Sequence, residues 1–318
     1  MTPSSRFVTL TEQYLALRRS LGFALVTQGR LLLDFARFAD KAAGSGPLTL
    51  DLAVRWAESS ERRCPSNAAR RLTIVRGFAK YCAGFEPATQ IPPIRLFGPR
   101  ARRSPPHIYS DAEMTDLLGA AAKLLPRDGL RPHTYVTLLS LLASTGLRVS
   151  EARRLSCHDV DLERGLLTVR ESKFRKSRLV PLHPSAIEPL RRYAARRDRC
   201  RTARRSDFFF LTDSAPHLTL NAVETEFWRM RKILGWTAKG RTRLPRIHDI
   251  RHTFATVRLL RWHEQGADIE RKLSALATYL GHVQVTQTYW YLTAVPELLA
   301  LTARRFERFA RPGQESAS

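Results

Sequence analysis

The sequence predicts a mainly α-helical chain with one small β-hairpin, divided into an N-terminal helical bundle (residues 1–95) and a C-terminal mixed α+β part (109–311). Three observations predict it. Apolar residues recur at helical spacing over most of the 318 residues. A single stretch alternates with the period of a strand, and six prolines crowd between Phe85 and His107, where neither a packed helix nor a central strand can form and an extended chain is expected. Residues 96–108 are therefore expected to be a basic, proline-rich linker, and 312–318 a disordered tail.

In the N-terminal part, Leu10, Tyr14, Leu17 and Leu21 fall at helical spacing. Leu31, Leu32, Phe35 and Phe38 do so again behind Thr27, a residue suited to an N-cap. A third helix is expected from Leu50 through Trp56. The fourth opens at Ser66 and carries Leu72, Val75, Phe78 and Cys82 on one face, with Arg70, Arg71, Arg76 and Lys80 on the other. Four short helices fit one small bundle.

The C-terminal part opens with the capping box Ser110-Asp-Ala-Glu113 ahead of Met114, Leu117 and Leu118. An apolar helix, Tyr135 to Ser144, is expected to end at Gly146. Arg148 then falls in a turn, and Ser150 is read as the cap of a helix from Glu151 to Leu155. The period changes at Leu166–Arg170 and Arg178–Leu182, which read as a hairpin. Further helices are expected at Ser185–Arg199 behind Pro184, Leu220–Leu234, His248–Gln265, Asp268–Leu280 and Pro296–Ala310, with a short strand at Phe208–Leu211.

Fifty-three basic residues stand against 29 acidic ones, a formal charge of +24, and the pI is near 11. That balance points to a polyanionic partner, nucleic acid before an anionic membrane surface. The longest apolar runs, such as Tyr135–Leu142, fall far short of the roughly 20 residues that span a bilayer. Met1–Phe7 shows no basic-then-apolar signal pattern, so a cytoplasmic, nucleoid-associated protein is expected. Cys64, Cys82, Cys157 and Cys200 are scattered, which speaks against a zinc site or a disulfide framework. Neither GxGxxG nor GxxxxGK[ST] occurs, and no Asp/Glu cluster suits Mg²⁺, so no cofactor or metal is expected.

Four separated pieces carry the chemistry: Thr145-Gly-Leu-Arg-Val-Ser-Glu151, Ser172-Lys-Phe-Arg-Lys-Ser-Arg-Leu-Val-Pro-Leu182, His248-Asp-Ile-Arg-His-Thr-Phe254, and Leu280-Gly-His282 followed by Tyr291. Each alone is weak. Arg148 suits the end of a helix dipole, His248 suits a core, and Thr-Tyr-Trp-Tyr-Leu is an ordinary aromatic cluster. Together they supply two arginines, two histidines, a lysine and a tyrosine, a set able to surround one phosphodiester. Arginine's planar fork matches two phosphate oxygens and stays charged at any working pH.

In this combination and order the sequence resembles the tyrosine recombinase (phage integrase) family, which includes the Xer recombinases. The likeness is sharp from Ser110 to about Val295 and looser in the N-terminal bundle, which resembles the family's core-binding, DNA-binding domain. The resemblance implies Arg148, Lys173, His248, Arg251 and His282 as catalytic residues and Tyr291 as the nucleophile. Tyr289 is a rival for that role, and Lys176 for the lysine's, because the hairpin loop lacks the family's usual glycine. It implies attack by Tyr291 on a scissile DNA phosphate to give a 3′-phosphotyrosine and a free 5′-hydroxyl. Arg148, Arg251 and His282 would stabilise the phosphorane, Lys173 would act as acid, and His248 would accept a proton or orient the phosphate.

It further implies a double-stranded DNA substrate and a homotetrameric synapse on two sites, alone or with sister recombinases. The amphipathic stretch Pro296–Phe309 would dock on the neighbouring protomer. Thr-Tyr-Trp-Tyr-Leu and Val295–Leu299 resemble the mobile-element branch (integration, excision or transposition) more than the housekeeping Xer pair. A type IB topoisomerase and a non-catalytic architectural DNA-binding protein are the alternatives.

Overall fold

The computed structural model describes residues 6–43, 46–60, 64–98, 105–170, 177–238, 243–281 and 288. The chain forms two compact units, 1–103 and 104–318. Among the described residues, no helix is long and apolar enough to cross a membrane.

The first unit is built from α1 (Arg6–Ser20), α2 (Val26–Ala43), α3 (Leu50–Glu58) and α4 (Pro65–Cys82). Phe35, Trp56 and Phe78 meet edge-on at its centre, where all three are fully buried. Thr49 caps α3 by accepting from the Leu52 amide at 3.2 Å. Three expectations need correction. Thr27 lies inside the first turn of α2 and does not cap it, because Leu25 already turns the chain with a φ of +43°. On α1 the buried line is Phe7, Thr11 and Leu15, whereas Leu17 and Leu21 face solvent. Both lines have helical spacing, so periodicity alone does not tell which one meets α2.

The third correction concerns the proline-rich stretch, whose beginning is not extended. Residues 83–98 turn back on the bundle. The Gln90 amide donates to the Leu48 carbonyl at 2.8 Å, and Gln90 Oε1 accepts from the Leu50 amide. Arg76 Nε donates to the Pro92 carbonyl. Proline removes donors but leaves its acceptors, and side chains of the bundle use them.

The second unit is organised around α6 (Leu130–Thr145). Leu130, Tyr135, Leu138, Leu139, Leu141 and Leu142 are buried around much of its circumference, as expected of a helix covered on most sides. It is flanked by α5 (Asp111–Ala122), α8 (Pro184–Asp198) and α10 (Asp249–Glu264). The box at Ser110 and Glu113 forms as the sequence predicts. Helix α6 begins earlier than the apolar run because Pro132 sits in its first turn, where no amide donor is required.

Strands β1 (Val160–Asp161), β2 (Leu166–Val169) and β3 (Arg178–Pro181) form an antiparallel sheet in that order. Leu167 pairs with Val180, and both are buried against the core. The expected strand at Phe208–Leu211 is absent. Phe208 makes a single bridge to Ser156, and Phe209, Phe210 and Leu211 are apolar because they fill the core. Helix α7 (Val149–Ala152) is capped by Arg148, not Ser150. Helices α9 (Leu220–Ile233) and α11 (Ile269–Leu280) complete the unit, with α11 capped by Asp268.

Candidate active site

Two glycine turns build the site. Gly146 ends α6 with a φ of +62°, and Gly281 ends α11 with a φ of +68°. Both are in the left-handed region that favours glycine. There is also no room for a side chain. A Cβ on Gly146 would lie 2.5 Å from the Phe254 ring, and one on Gly281 would lie 2.8 Å from the Arg178 guanidinium.

Arg251, on the first turn of α10, joins the two turns. The residue is 2% exposed, and its guanidinium donates to the Gly146 carbonyl at 2.8 Å and the Leu280 carbonyl at 2.7 Å. Arg148 follows the first turn and reaches across to the second, donating to the Gly281 carbonyl at 3.1 Å. The two arginines are thus held by the same pair of turns, although 103 positions separate them in sequence.

Glu151 completes the frame. Its side chain is 2% exposed. It accepts from Arg148 Nη1 at 2.7 Å and from the Arg148 amide at 3.0 Å. Arg178 grips the same carboxylate with both terminal nitrogens, at 3.2 and 2.9 Å, while its Nε donates to the Tyr279 carbonyl. Burial alone would raise the Glu151 pKa, but the bonds and charges of Arg178 and Arg148 hold it down to about 2. A buried carboxylate between two guanidinium groups fixes where each can point.

His248 precedes α10 and remains reachable from solvent. Desolvation by the protein around it, and then the charge of Arg251, lower its pKa. A neutral imidazole at physiological pH can accept a proton. Its ring meets His252 edge-on at 5.0 Å, and His252, more enclosed, is lowered to about 4, chiefly by desolvation. The start of α10 is secured by Asp249, 1% exposed, which accepts from the Arg246 amide and guanidinium.

The structure therefore brings together Arg148, His248 and Arg251. Lys173 and its rival Lys176, His282, Tyr289 and Tyr291 lie outside the described residues, as does Pro296–Ala310. In the chain, Lys173 falls between β2 and β3, and His282 directly follows Gly281. Sequence reasoning passed over Glu151, Arg178 and Asp249. Glu151 had a legible signal, a carboxylate three residues after an arginine at a helix start. The role of Arg178 has no local signature, because its partners lie 27 and 101 residues away. Among the described residues, no three His, Cys, Asp or Glu side chains gather as a metal site.

The four basic residues of α4 do not share one open face. Arg70 and Lys80 are exposed. Arg76 is partly buried and bonded to the Pro92 carbonyl. Arg71 is buried, stacked 3.8 Å over the Trp56 ring and donating to the Trp56 carbonyl. Its apparent place in a basic stripe is a bundle contact.

The Phage integrase family matches residues 110–297, more than half of the chain and all of the frame just described. The chain belongs to the phage integrase family. It is a tyrosine-type site-specific recombinase. The recombinase is 42% identical to an integrase/recombinase named y4rB from Sinorhizobium fredii, over 96% of this chain and 98% of that one. It is 29% identical to the tyrosine recombinase XerC of Chlamydia caviae, over 73% of this chain and 68% of that one. Its fold matches the Tn1549 transposon integrase in complex with transposon right-end DNA (TM-score 0.69, 18% identity, 96% of this chain and 99% of that one). It also matches the XerH recombinase bound to a palindromic difH substrate (TM-score 0.65, 20% identity, 88% and 79%).

Proposed function

We propose that the recombinase moves a mobile DNA element, by integration, excision or transposition, through a 3′-phosphotyrosine formed by Tyr291. The Tyr291 oxygen attacks the scissile phosphorus and the P–O5′ bond breaks. His248 takes the tyrosine proton, and Lys173 supplies a proton to the departing 5′-oxygen. A second 5′-hydroxyl then attacks the phosphotyrosine, returning the phenol and joining the new strands. Phosphodiester number is conserved, so no nucleotide cofactor is consumed. Arg148, Arg251 and His282 would bind the non-bridging oxygens as charge builds on them.

The observation that carries this reading is the shared arginine frame. Arg148 keeps 22% of its side chain accessible while two of its five N–H donors are fixed to Glu151 and Gly281. Such a guanidinium is oriented before substrate arrives, which is what electrostatic catalysis requires. The N-terminal unit would clasp DNA through exposed residues such as Arg70 and Lys80. Four protomers, alone or with sister recombinases, would synapse two sites in the bacterial cytoplasm. Support for a mobile element comes from the relative named integrase/recombinase and the transposon integrase whose fold is shared.

The test is a nicked suicide duplex bearing the end of the element that encodes the chain. Wild type should form a covalent adduct in excess EDTA, and Tyr291→Phe should bind but form none. An adduct with the Phe variant would transfer the role to Tyr289. A strict Mg²⁺ requirement for cleavage would overturn the mechanism.

A further inference from the structure

A dense run of arginines in the second unit lies outside the arginine frame. Between Pro184 and Asp207 the chain carries eight arginines against Glu188, Asp198 and Asp207. Arg197 is buried and takes Asp198 as its partner. Arg192, Arg196 and Arg199 are exposed on one face of α8 and its end, at helical spacing. Arg201, Arg204 and Arg205 are exposed on the 3₁₀ turn packed against α8. None of these six has a carboxylate partner among the described residues. One or two basic residues satisfy a helix C-terminus. Six, with neighbours repelling one another, exceed that need.

Their position separates them from the catalytic frame. Thr202 donates to the Thr212 carbonyl, and the next residue, Asp213, accepts from the Leu130 amide at the first turn of α6. Arg196 lies close enough to His133 to act on it electrostatically. The arginine surface is therefore at the N-terminal end of α6, whereas Gly146 and Arg148 are at the other. From His133 to Thr145 the helix rises about 18 Å.

We propose that this surface binds duplex DNA lying outside the cleavage site. This rests on the DNA strand-exchange reading of the catalytic frame. Arginine forks match phosphate oxygens in pairs, and a row of them gives sequence-independent hold. A lipid surface fits less well, because the apolar side of α8, Leu190 and Tyr193, is buried in the core and leaves nothing to insert. Grip on flanking duplex would raise residence on an element end and help bring two ends together.

The test uses the full chain with Arg192, Arg196, Arg199, Arg201, Arg204 and Arg205 all replaced by Gln. Binding is measured over a salt series on a short duplex limited to the cleavage region and on the same duplex with long flanks. Wild type should gain affinity and a steeper salt slope from the flanks. The variant should lose that gain, with the slope falling by about 0.9 for each phosphate contact removed, and should form the covalent adduct on the short duplex at the wild-type rate. Equal flank gain in both proteins overturns the proposal and makes the surface a solvated face. Loss of adduct on the short duplex also overturns it, by making these arginines part of the cleavage site. Arginine-dependent capture of phosphatidylglycerol vesicles or a polyglutamate peptide, with no flank effect, overturns it in favour of those partners. Failure of wild type to form any adduct reports instead on the phosphotyrosine reading.

Discussion

Two arginine-rich regions, the catalytic frame and the basic side of α4, look alike in sequence and behave differently in the fold. Arg148 and Arg178 share one buried carboxylate, and Arg148 and Arg251 donate to backbone carbonyls at the two glycine turns. On α4 the arginines divide between bracing and exposure. Arg71 closes over Trp56, Arg76 holds the Pro92 carbonyl, and Arg70 remains open. What an arginine does follows from the acceptors around it. Backbone carbonyls at a helix end fix a fork while leaving donors free, whereas an aromatic face and a buried carbonyl absorb it.

Removing a fork from the frame should have the largest effect. Arg148→Ala is expected to slow single-turnover cleavage by about 10²–10³-fold, the usual cost of one preorganised donor to a developing oxyanion. A 5′-bridging sulfur should not rescue it, because in the proposed mechanism the lost charge serves the non-bridging oxygens and not the leaving group. Lys173→Ala should be rescued, because a thiolate departs without a proton. Equal rescue of both variants would reverse the assignment of the acid.

Glu151→Gln attacks the same frame from beneath. Two guanidinium groups lose their shared anion, and stability should fall by about 3 kcal/mol, the scale for breaking a buried ion pair. The sign with pH follows from a folded pKa of about 2 against an ordinary carboxylate value of 4.5. Wild type holds this contribution above about pH 4.5 and loses it as pH falls toward 2, so the two unfolding curves should converge there. A constant gap across that range would show that packing, not charge, is what Glu151 supplies.

These effects mark what the sequence made legible. Apolar periodicity located the four N-terminal helices, the hairpin and the helices through Leu280, because each depends on contacts within a few residues. Of the candidate site, Arg148, His248 and Arg251 were legible as residue types suited to one phosphodiester, and the fold brings these three together, whereas the other candidates lie outside the described residues. The brace between Arg178 and Glu151 was not, because nothing local to β3 names a partner on α7. Nor was the burial of Arg71, because an exposed and a buried arginine at the same helical phase read identically. Strand expectation failed at Phe208–Leu211 for a related reason: a short apolar run records burial and not backbone shape.

The α4 side of the comparison predicts a separation of stability from binding. Arg71→Ala should lower the stability of the N-terminal unit by about 2 kcal/mol, through the lost cation–π contact with Trp56 and the orphaned carbonyl. It should leave the salt dependence of DNA binding unchanged. Arg70→Ala and Lys80→Ala should do the reverse, each lowering the salt slope by about 0.9 if it meets a phosphate. A slope change in Arg71→Ala without loss of stability would mean that this arginine turns outward on DNA.

The smallest expected effect separates the two units by pH. All nine histidines lie at or beyond His107, so the first 103 residues contain none. In the second unit His133, His248 and His252 all have pKa values below the ordinary imidazole value of 6.5, with burial the leading cause in each. A group that resists protonation when folded binds more protons when unfolded, so stability rises with pH across the interval between the two values. For His252, lowered to about 4, lowering the pH from 7.5 to 5.5 should cost about 1 kcal/mol. Thermal unfolding that resolves the two units should show the second transition moving down over this range and the first nearly stationary. His252→Gln should remove much of the shift. If both transitions move together, acid acts through groups common to the two units, and these three histidines are not its sensor.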